Sequence, residues 1–285
     1  MTDLLPERSL VRNLLSAGCD VYVVDWGDDA ARKPETDLSD YVMDWLPQCM
    51  DAVRTSANVS AVTLMGICQG GTLAACHAAM QPEGINGLIC AGTPIDFHAD
   101  DQDHDPAHGL LNLWARALSE AEVEALTDLG HCLPGDFMGA IFNQLNPVRT
   151  LARYAIDLPE AAQDPGKLRT FMAMETWLAD RPDLPQAFAR TWLVDLYQRN
   201  ALVDGKLMVA ATPVDLGQIQ VPVLNIIAEA DHIIPPPCSR ALSRFVLGER
   251  YRELTIPAGH IGTFVGSKAQ TLTAPGIMKW LRERQ

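Results

Sequence analysis

Length, composition and charge already limit what this chain can be. It has 285 residues, 48% of them hydrophobic, which is enough for one large core. Its formal net charge is −14, and Lys and Arg form no cluster. The electrostatic footprint of a nucleic-acid-binding protein is therefore missing. The seven cysteines contain no CxxC pair, as is typical of a reducing compartment, and the first residues lack the apolar run of a signal peptide or membrane span. We therefore expect a cytoplasmic protein with neither a nucleic acid partner nor a membrane span.

Apolar runs and helical patterns alternate through the first third of the chain. The patterns predict a helix ending near residue 15, a buried strand over 20–26 (DVYVVDW), a helix over 38–54, a strand over 61–67, a helix over 72–80 and a strand over 85–91. This alternation is typical of a mostly parallel sheet with helices on both faces, which is an α/β fold.

The alternation breaks between residues 97 and 216, where long helical patterns rich in Leu, Ala and Trp replace it. It resumes with strands over 221–228 and 251–256, a helix over 238–247 between them, and a closing helix over 273–284. We therefore predict an α/β core built from residues 1–96 and 217–285, with residues 97–216 inserted as a helical cap.

The turn after the second predicted strand reads Gly66-Ile67-Cys68-Gln69-Gly70-Gly71, which is the G-x-S-x-G nucleophile pattern with cysteine in place of serine. A thiol at this position meets the amino end of the following helix, whose dipole favours the thiolate, and the backbone N–H of Gln69 can stabilise an oxyanion. The alternative is a tight turn around a structural cysteine. The strand before the turn and the helix after it favour the nucleophile.

A nucleophile of this kind needs a base, and the base needs a carboxylate to orient it. Asp231 and His260 each follow a predicted strand, so both should lie at the carboxyl edge of the sheet, where open parallel sheets bind their ligands. A single Asp or His on a loop is usually only solvated. The order Cys68, Asp231, His260 nevertheless matches the nucleophile, acid and base order of α/β-hydrolases, and the three residues together predict a catalytic triad.

The segments GICQGG, NIIAEADHIIPP and PAGHIGTFVGSKAQ resemble the three active-site segments of the polyhydroxyalkanoate synthases. The resemblance extends over nearly the whole chain, including cap residues 174–200, and is strongest to the short class III form that works with a second subunit. It implies that Cys68 carries the acyl group and that His260 is the general base. It also implies that Asp231 is the partner of His260 or the activator of the incoming hydroxyl, and that His232 supports the site by hydrogen bonding.

The same resemblance implies the reaction. The substrate would be a 3-hydroxyacyl-coenzyme A of short chain, such as 3-hydroxybutyryl-coenzyme A, and the products a polyester and free coenzyme A, with no cofactor. The partners would be a second copy of the chain, a second synthase subunit and the surface of the polyester granule. Two alternatives stay open, which are a cysteine-dependent hydrolase of small esters or lactones, and a truncated, weakly active subunit.

Two further features bear on the site. A dense group of acidic residues and histidines between residues 96 and 108 matches no established metal-binding spacing, so we expect a mobile acidic loop and no metal. The family also has further sheet before the segment that resembles MTDL, including a strand whose following loop supplies a second oxyanion N–H. In the α/β-hydrolase order that strand lies between those predicted over 20–26 and 61–67, so we expect an opening in the middle of the sheet.

Overall fold

The computed structural model describes residues 2–27, 32–99, 109–128, 131–145 and 147–284. Its strands are β1 (Asp3–Leu5), β2 (Arg8–Ser9), β3 (Val62–Ile67), β4 (Ile85–Ala91), β5 (Cys132–Leu133), β6 (Leu184–Pro185), β7 (Met208–Val209), β8 (Thr212–Pro213), β9 (Val223–Ala228) and β10 (Tyr251–Ile256). Its α-helices are α1 (Leu10–Ser16), α2 (Leu46–Ala57), α3 (Gln69–Met80), α4 (Leu110–Ala117), α5 (Glu120–Asp128), α6 (Gly135–Leu145), α7 (Pro147–Ala152), α8 (Leu158–Ala161), α9 (Pro165–Ala179), α10 (Gln186–Arg190), α11 (Pro236–Arg240), α12 (Gly262–Val265) and α13 (Ala274–Arg282).

Four of these strands form one parallel sheet in the order β10-β9-β4-β3. The other strands form short antiparallel pairs outside it, β1 with β2, β5 with β6 and β7 with β8. The predicted α/β class with a mostly parallel sheet is confirmed. All four strands of the sheet therefore bring their carboxyl ends to one edge, which is where the candidate site lies.

Side chains alternate between two apolar cores along the strands, as the two-residue period of a strand requires. In β4, Leu88 and Cys90 belong to the larger core, whereas Ile89 and Ala91 belong to the smaller one. The larger core contains residues of α2, α3 and the helical region between β4 and β9. The smaller core contains residues of α1, α12 and α13. Helices therefore cover both faces of the sheet, which explains the nearly continuous apolar sequence of its inner strands.

The strand predicted over residues 20–26 is not formed. Residues 20–26 adopt no regular secondary structure, and Tyr22 and Val23 are 49% and 69% exposed. The apolar sequence of this segment suits a strand, but a strand also needs a neighbour that satisfies its backbone hydrogen bonds. Within the described residues β3 pairs only with β4 and ends the sheet, so nothing holds 20–26 in register with it.

The chain between β4 and β9 is mainly helical where it is described, with α4 to α10 and only two-residue strands. The division into a core and a cap at residues 97 and 216 stays a prediction. The helix predicted over 238–247 is shorter than expected, because α11 ends at Arg240 and a 3₁₀ turn over Ala241–Arg244 follows it. No helix among the described residues is long and apolar enough to cross a bilayer.

Candidate active site

Cys68 occupies the sharp turn between β3 and α3. Its backbone has φ 52° and ψ −123°, a conformation that non-glycine residues rarely adopt and that costs on the order of 1–3 kcal/mol. Two hydrogen bonds hold the turn, from the N–H of Cys68 to the carbonyl of Ala91 (2.9 Å) and from the N–H of Gly71 to the carbonyl of Cys68 (2.9 Å). The backbone is therefore strained at the residue that the sequence assigns as the nucleophile.

Two of the three glycines around Cys68 are required by steric crowding. A Cβ atom on Gly66 would overlap the backbone of Gly70, and one on Gly71 would overlap the side chain of Thr93. In contrast, a Cβ on Gly70 would meet nothing within 4 Å. The chain can thus turn back on itself at Cys68 only because residues 66 and 71 have no side chain.

Asp231 and His260 form a buried pair at the carboxyl ends of β9 and β10. Nδ1 of His260 lies 2.6 Å from Oδ2 of Asp231, and the two residues are 6% and 1% exposed. The other carboxylate oxygen, Oδ1, accepts hydrogen bonds from the backbone N–H groups of Ile233 (3.0 Å) and Ile234 (2.9 Å). Asp231 is therefore held as an acceptor, and the hydrogen bond at Nδ1 leaves Nε2 of His260 for other contacts.

The electrostatics of His260 link it to Cys68. Burial alone would lower the pKa of His260, but the charge of the neighbouring Cys68 and the hydrogen bonds to Asp231 and Cys68 outweigh it and raise the pKa to about 10 from an ordinary value of 6.5. A base whose protonated form is stabilised in this way can accept the proton of a thiol. The structure thus brings together the three residues that the sequence predicts as a triad.

Gly92, which the sequence analysis missed, lies against His260 and Asp231 and leaves room for both side chains. It follows β4 with φ +54°, and a Cβ atom there would lie 3.1 Å from Cε1 of His260 and 3.6 Å from Oδ2 of Asp231. Both the left-handed backbone and the close approach favour glycine. The available signal was a glycine directly after a strand, at the same edge of the sheet as the other site residues.

A second missed feature connects this edge to the end of the predicted cap. Asp96, which follows β4 and is 7% exposed, accepts hydrogen bonds from Nδ2 of Asn200 (2.8 Å) and from the N–H of His98 (3.1 Å), and it pairs with Arg244 (2.5 Å). Oδ1 of Asn200 in turn accepts from the N–H of Phe97 (2.9 Å). We refer to Asp96, Asn200 and Arg244 as the Asp96 network.

The loop that carries Asp96 also contacts α3, which follows β3, and α11, which follows β9. The hydroxyl of Thr72, on α3 behind Cys68, donates to the carbonyl of Pro94 (2.8 Å). The backbone N–H groups of Ile95 and Asp96 both donate to the carbonyl of Cys238 on α11 (3.1 Å each). One loop therefore contacts the nucleophile helix, the helix after Asp231, and the end of the cap.

The structure places Gln69 and His232, and the roles predicted for them stay predictions. Gln69 is the first residue of α3, in the turn whose N–H groups have no partner within the helix, so its predicted oxyanion role stays a prediction. His232 is exposed beside the buried Asp231, and its supporting role stays a prediction as well.

The acidic stretch offers no metal site in the part of it that is described. The oxygens of Asp96 are engaged in its network, and Nε2 of His98 lies 2.7 Å from the carbonyl oxygen of Tyr197. Residues 100–108, on which most of the mobile-loop prediction depends, lie outside the described residues. Elsewhere in the described ranges no three His, Cys, Asp or Glu side chains are grouped as metal ligands.

Comparison with solved structures supports the fold. The chain is similar to a monoacylglycerol lipase from Paleococcus ferrophilus, with a TM-score of 0.53 and 16% sequence identity over 97% of this chain and 88% of that one. The family model for the alpha/beta hydrolase fold matches residues 3–267. At this level of identity the structural likeness concerns the fold alone.

Comparison with curated proteins is more specific. The chain is 36% identical to the "Poly(3-hydroxyalkanoate) polymerase subunit PhaC" of Allochromatium vinosum, across 100% of this chain and 77% of that protein. It is also 36% identical to the protein of the same name from Synechocystis, across 100% of this chain and 75% of the relative. The chain therefore belongs to the poly(3-hydroxyalkanoate) polymerase family, within the α/β-hydrolase fold.

Proposed function

We propose that this chain is an acyltransferase that polymerises 3-hydroxyacyl groups from coenzyme A thioesters, with Cys68, His260 and Asp231 as its catalytic residues. The observation that carries the proposal is the 36% identity to polymerase subunits along the entire chain, including the predicted cap. A generic hydrolase would share the strand ends of the fold but would have no reason to match the cap residues. The geometry of the three residues supports their assignment.

In the first step, His260 takes the proton of the Cys68 thiol and the thiolate attacks the carbonyl carbon of the substrate thioester. A bond forms between Sγ of Cys68 and the acyl carbon, the bond to the sulfur of coenzyme A breaks, and the leaving thiolate of coenzyme A takes that proton from His260. One thioester replaces another at nearly equal free energy, so the acyl group on Cys68 stays reactive. The N–H of Gln69 is proposed to stabilise the oxyanion that forms as the thioester of coenzyme A is converted into the thioester of Cys68.

In the second step, the 3-hydroxyl of an incoming hydroxyacyl-coenzyme A attacks the acyl group on Cys68. His260 accepts the hydroxyl proton, an ester bond forms, and the bond to Sγ breaks, which regenerates the thiol of Cys68 with that proton. The lengthened product is again a coenzyme A thioester, so it can acylate Cys68 once more and release coenzyme A. Growth of the polyester needs only these exchanges, and we propose no cofactor or metal for them.

The contacts of Asp231 favour one of its two candidate roles. Oδ1 is held by two backbone N–H groups and Oδ2 by His260, and the residue is 1% exposed. A carboxylate with these contacts can fix the orientation of His260 and stabilise its protonated form, but it has no free oxygen for a substrate hydroxyl. We therefore assign Asp231 as the orienting partner of the base, by the general logic of catalytic triads.

The finer features of this function are proposals from the family alone. They comprise a short-chain substrate such as 3-hydroxybutyryl-coenzyme A, a homodimer, a second synthase subunit, a cytoplasmic location and attachment to the polyester granule. The name of the Allochromatium vinosum relative describes that protein as a subunit, which supports the proposal of a further subunit here.

The nucleophile is tested by trapping the acyl group. After incubation with 3-hydroxybutyryl-coenzyme A, peptide mass mapping should place a 3-hydroxybutyryl adduct on Cys68, and Cys68→Ala should reduce coenzyme A release to background. Cys49→Ala is the matched control, since Cys49 is likewise half-buried but lies on α2. An adduct on another cysteine in the unmodified protein would overturn the assignment.

The reaction itself is tested by its product. The proposal expects insoluble polyester together with free coenzyme A. Quantitative release of monomeric hydroxy acid, with no oligomer at any protein concentration, would identify the chain as a hydrolase instead.

A further inference from the structure

His260 lies on the loop between β10 and α12, and the carbonyl of the residue before it is held twice. The backbone N–H and the side-chain hydroxyl of Thr263, on α12, both donate to the carbonyl oxygen of Gly259 (3.1 Å each). On the same loop, the carbonyl of Ala258 accepts a hydrogen bond from the N–H of Ala230 (3.1 Å), on the loop that carries the partner carboxylate. The backbone just before His260 is therefore attached both to α12 and to the neighbouring catalytic loop.

α12 also packs against the ring of His260. The ring centroids of Phe264 and His260 lie 6.4 Å apart with the planes at 79°, which is an edge-to-face contact. Phe264 is buried in the smaller core. α12 thus contacts both the backbone before the base and its side chain, so a shift of α12 would move the imidazole.

α12 is held in place from outside, by Thr273. It is a single turn of four residues, and a helix this short is not stable by itself. Thr273, the last residue of the π-helix Ala269–Thr273, donates from its hydroxyl to the carbonyl of Thr263 (2.8 Å). Both threonines are buried, so without this bond the carbonyl would have no water to replace it. α13 begins directly after Thr273, and its Ile277 and Trp280 are buried in the smaller core, so Thr273 connects α12 to an anchored helix.

We propose that Thr273 is a positioning residue for the catalytic base. Its hydroxyl fixes α12 at Thr263, and the hydroxyl of Thr263 in turn fixes the carbonyl of Gly259. These two hydrogen bonds, which we call the threonine chain, set the position of His260 relative to Cys68. The inference rests on the proposed function, in which His260 takes the proton of the Cys68 thiol.

The first test is the rate of coenzyme A release from 3-hydroxybutyryl-coenzyme A. Thr273→Val keeps the shape of the side chain and removes its hydroxyl, so α12 loses its anchor. A catalytic group displaced by about 1 Å can slow a reaction about 100-fold, and we expect a partial displacement to lower kcat by about 5- to 50-fold. KM should change by less than about twofold, because proton transfer needs the base in position and binding of the thioester does not. Thr273→Ser retains the hydroxyl and should keep at least about half of the parent kcat.

The second test needs no substrate, and a purely structural role would not alter its result. The charge of Cys68 and its hydrogen bond stabilise the protonated ring of His260, and by the same interaction the protonated ring stabilises the thiolate. Iodoacetamide reacts with the thiolate, so the rate of Cys68 alkylation against pH, followed by peptide mass mapping, reports this interaction. In Thr273→Val the profile should shift to higher pH by about one unit, whereas Thr273→Ser should match the parent.

Thr271→Val is the matched control. Thr271 lies two residues earlier in the same π-helix, is exposed, and donates from its hydroxyl to the carbonyl of Ser267 (3.3 Å), which is outside α12. This variant should keep the kcat and the alkylation profile of the parent. Thr263→Val removes the second bond of the threonine chain and should shift the profile in the same direction as Thr273→Val. It therefore tests the proposal as well if Thr273→Val fails to fold.

Three outcomes would overturn the proposal. One is a Thr273→Val protein that unfolds more easily but has the kcat and alkylation profile of the parent, which would mean that Thr273 only stabilises the fold. Another is an equal effect of Thr271→Val. A third is a Thr273→Ser profile that matches Thr273→Val and not the parent. Failure of the proposed function would be recognised separately, because the product would then be monomeric hydroxy acid, whereas the alkylation profile of Cys68 would still depend on the Thr273 hydroxyl.

Discussion

Replacing Asp96 by alanine should separate the end of the predicted cap from the active-site edge of the sheet. The Asp96 carboxylate is the centre of the Asp96 network, and its Oδ1 accepts a hydrogen bond from Nδ2 of Asn200 (2.8 Å). Asn200 lies two residues after the π-helix Thr191–Gln198, in a left-handed backbone conformation (φ 52°), and is 9% exposed. A buried side-chain amide of this kind needs hydrogen-bond partners.

Asp96→Ala removes three contacts, with Asn200, His98 and Arg244. Leaving Nδ2 of Asn200 buried and unpaired costs about 1–3 kcal/mol, and the lost bond from the N–H of His98 contributes about 0.5–1.5 kcal/mol. The ion pair with Arg244 adds about 0–1 kcal/mol, because the Arg244 side chain is 53% exposed and solvent screens it. We expect Asp96→Ala to lower the free energy of unfolding by about 2–4 kcal/mol, a large part of a typical margin of about 5–15 kcal/mol.

The assay is urea unfolding of the parent chain and three variants. Asp96→Asn should fall between the parent and Asp96→Ala, because it keeps an acceptor for the backbone of His98. Asp204→Ala is the control, since Asp204 pairs with Lys206 in an exposed position and its loss should cost less than about 0.5 kcal/mol. If Asp96→Ala costs no more than Asp204→Ala, the network does not stabilise the fold and the reasoning fails.

Acid should weaken the same network. Burial raises the pKa of Asp96, but hydrogen bonds from Asn200, Arg244 and His98 and the charge of Arg244 outweigh it, so the net pKa is lowered from its ordinary value of 3.8. The contribution of Asp96 to stability is therefore fully present above pH 3.8 and is lost as the pH falls through the lowered value. Asp96→Asn should flatten this part of the acid unfolding curve.

Two further predictions concern the site itself. Gly66→Ala should destabilise the protein by at least about 1–3 kcal/mol, because its Cβ atom would overlap the backbone of Gly70. Gly70→Ala is the control and should be tolerated. Comparable unfolding midpoints for the two variants would contradict the steric explanation of the turn. The pKa of His260 is raised from 6.5 to about 10, so its stabilising contribution is fully present below pH 6.5 and is lost as the pH rises through about 10. In Cys68→Ala the ring should lose its proton at a lower pH, as followed by NMR of the imidazole, and an unchanged titration would show that Cys68 does not act on it.

The residues of the candidate triad could be predicted because each depends on local sequence. A sharp strand-to-helix turn needs the small residues on either side of Cys68, and this requirement is visible as a pattern of six letters. Asp231 and His260 could be placed because apolar strands are recognisable by composition, and residues that follow parallel strands share one edge. At that edge, the structure places Nδ1 of His260 2.6 Å from Oδ2 of Asp231.

The contacts of Asp96 could not be predicted in the same way. Asp96 and Asn200 are 104 residues apart, and neither lies in a local pattern that identifies the other as its partner. In sequence, Asp96 is one acidic residue among many in a polar stretch that matches no established metal-binding spacing. A hydrogen bond across that distance depends on how the helical region folds back over the sheet.

The sequence by itself predicted the α/β class, the four strands of the parallel sheet and the three candidate catalytic residues, since hydrophobic periodicity and turn chemistry are properties of short segments. Only the tertiary structure decided which apolar segments became strands. Residues 20–26 and β3 have similar apolar composition, but β3 pairs with β4 whereas 20–26 remains exposed. The physical reason is that a strand forms only where a neighbouring backbone completes its hydrogen bonds, and that neighbour is a property of the whole fold.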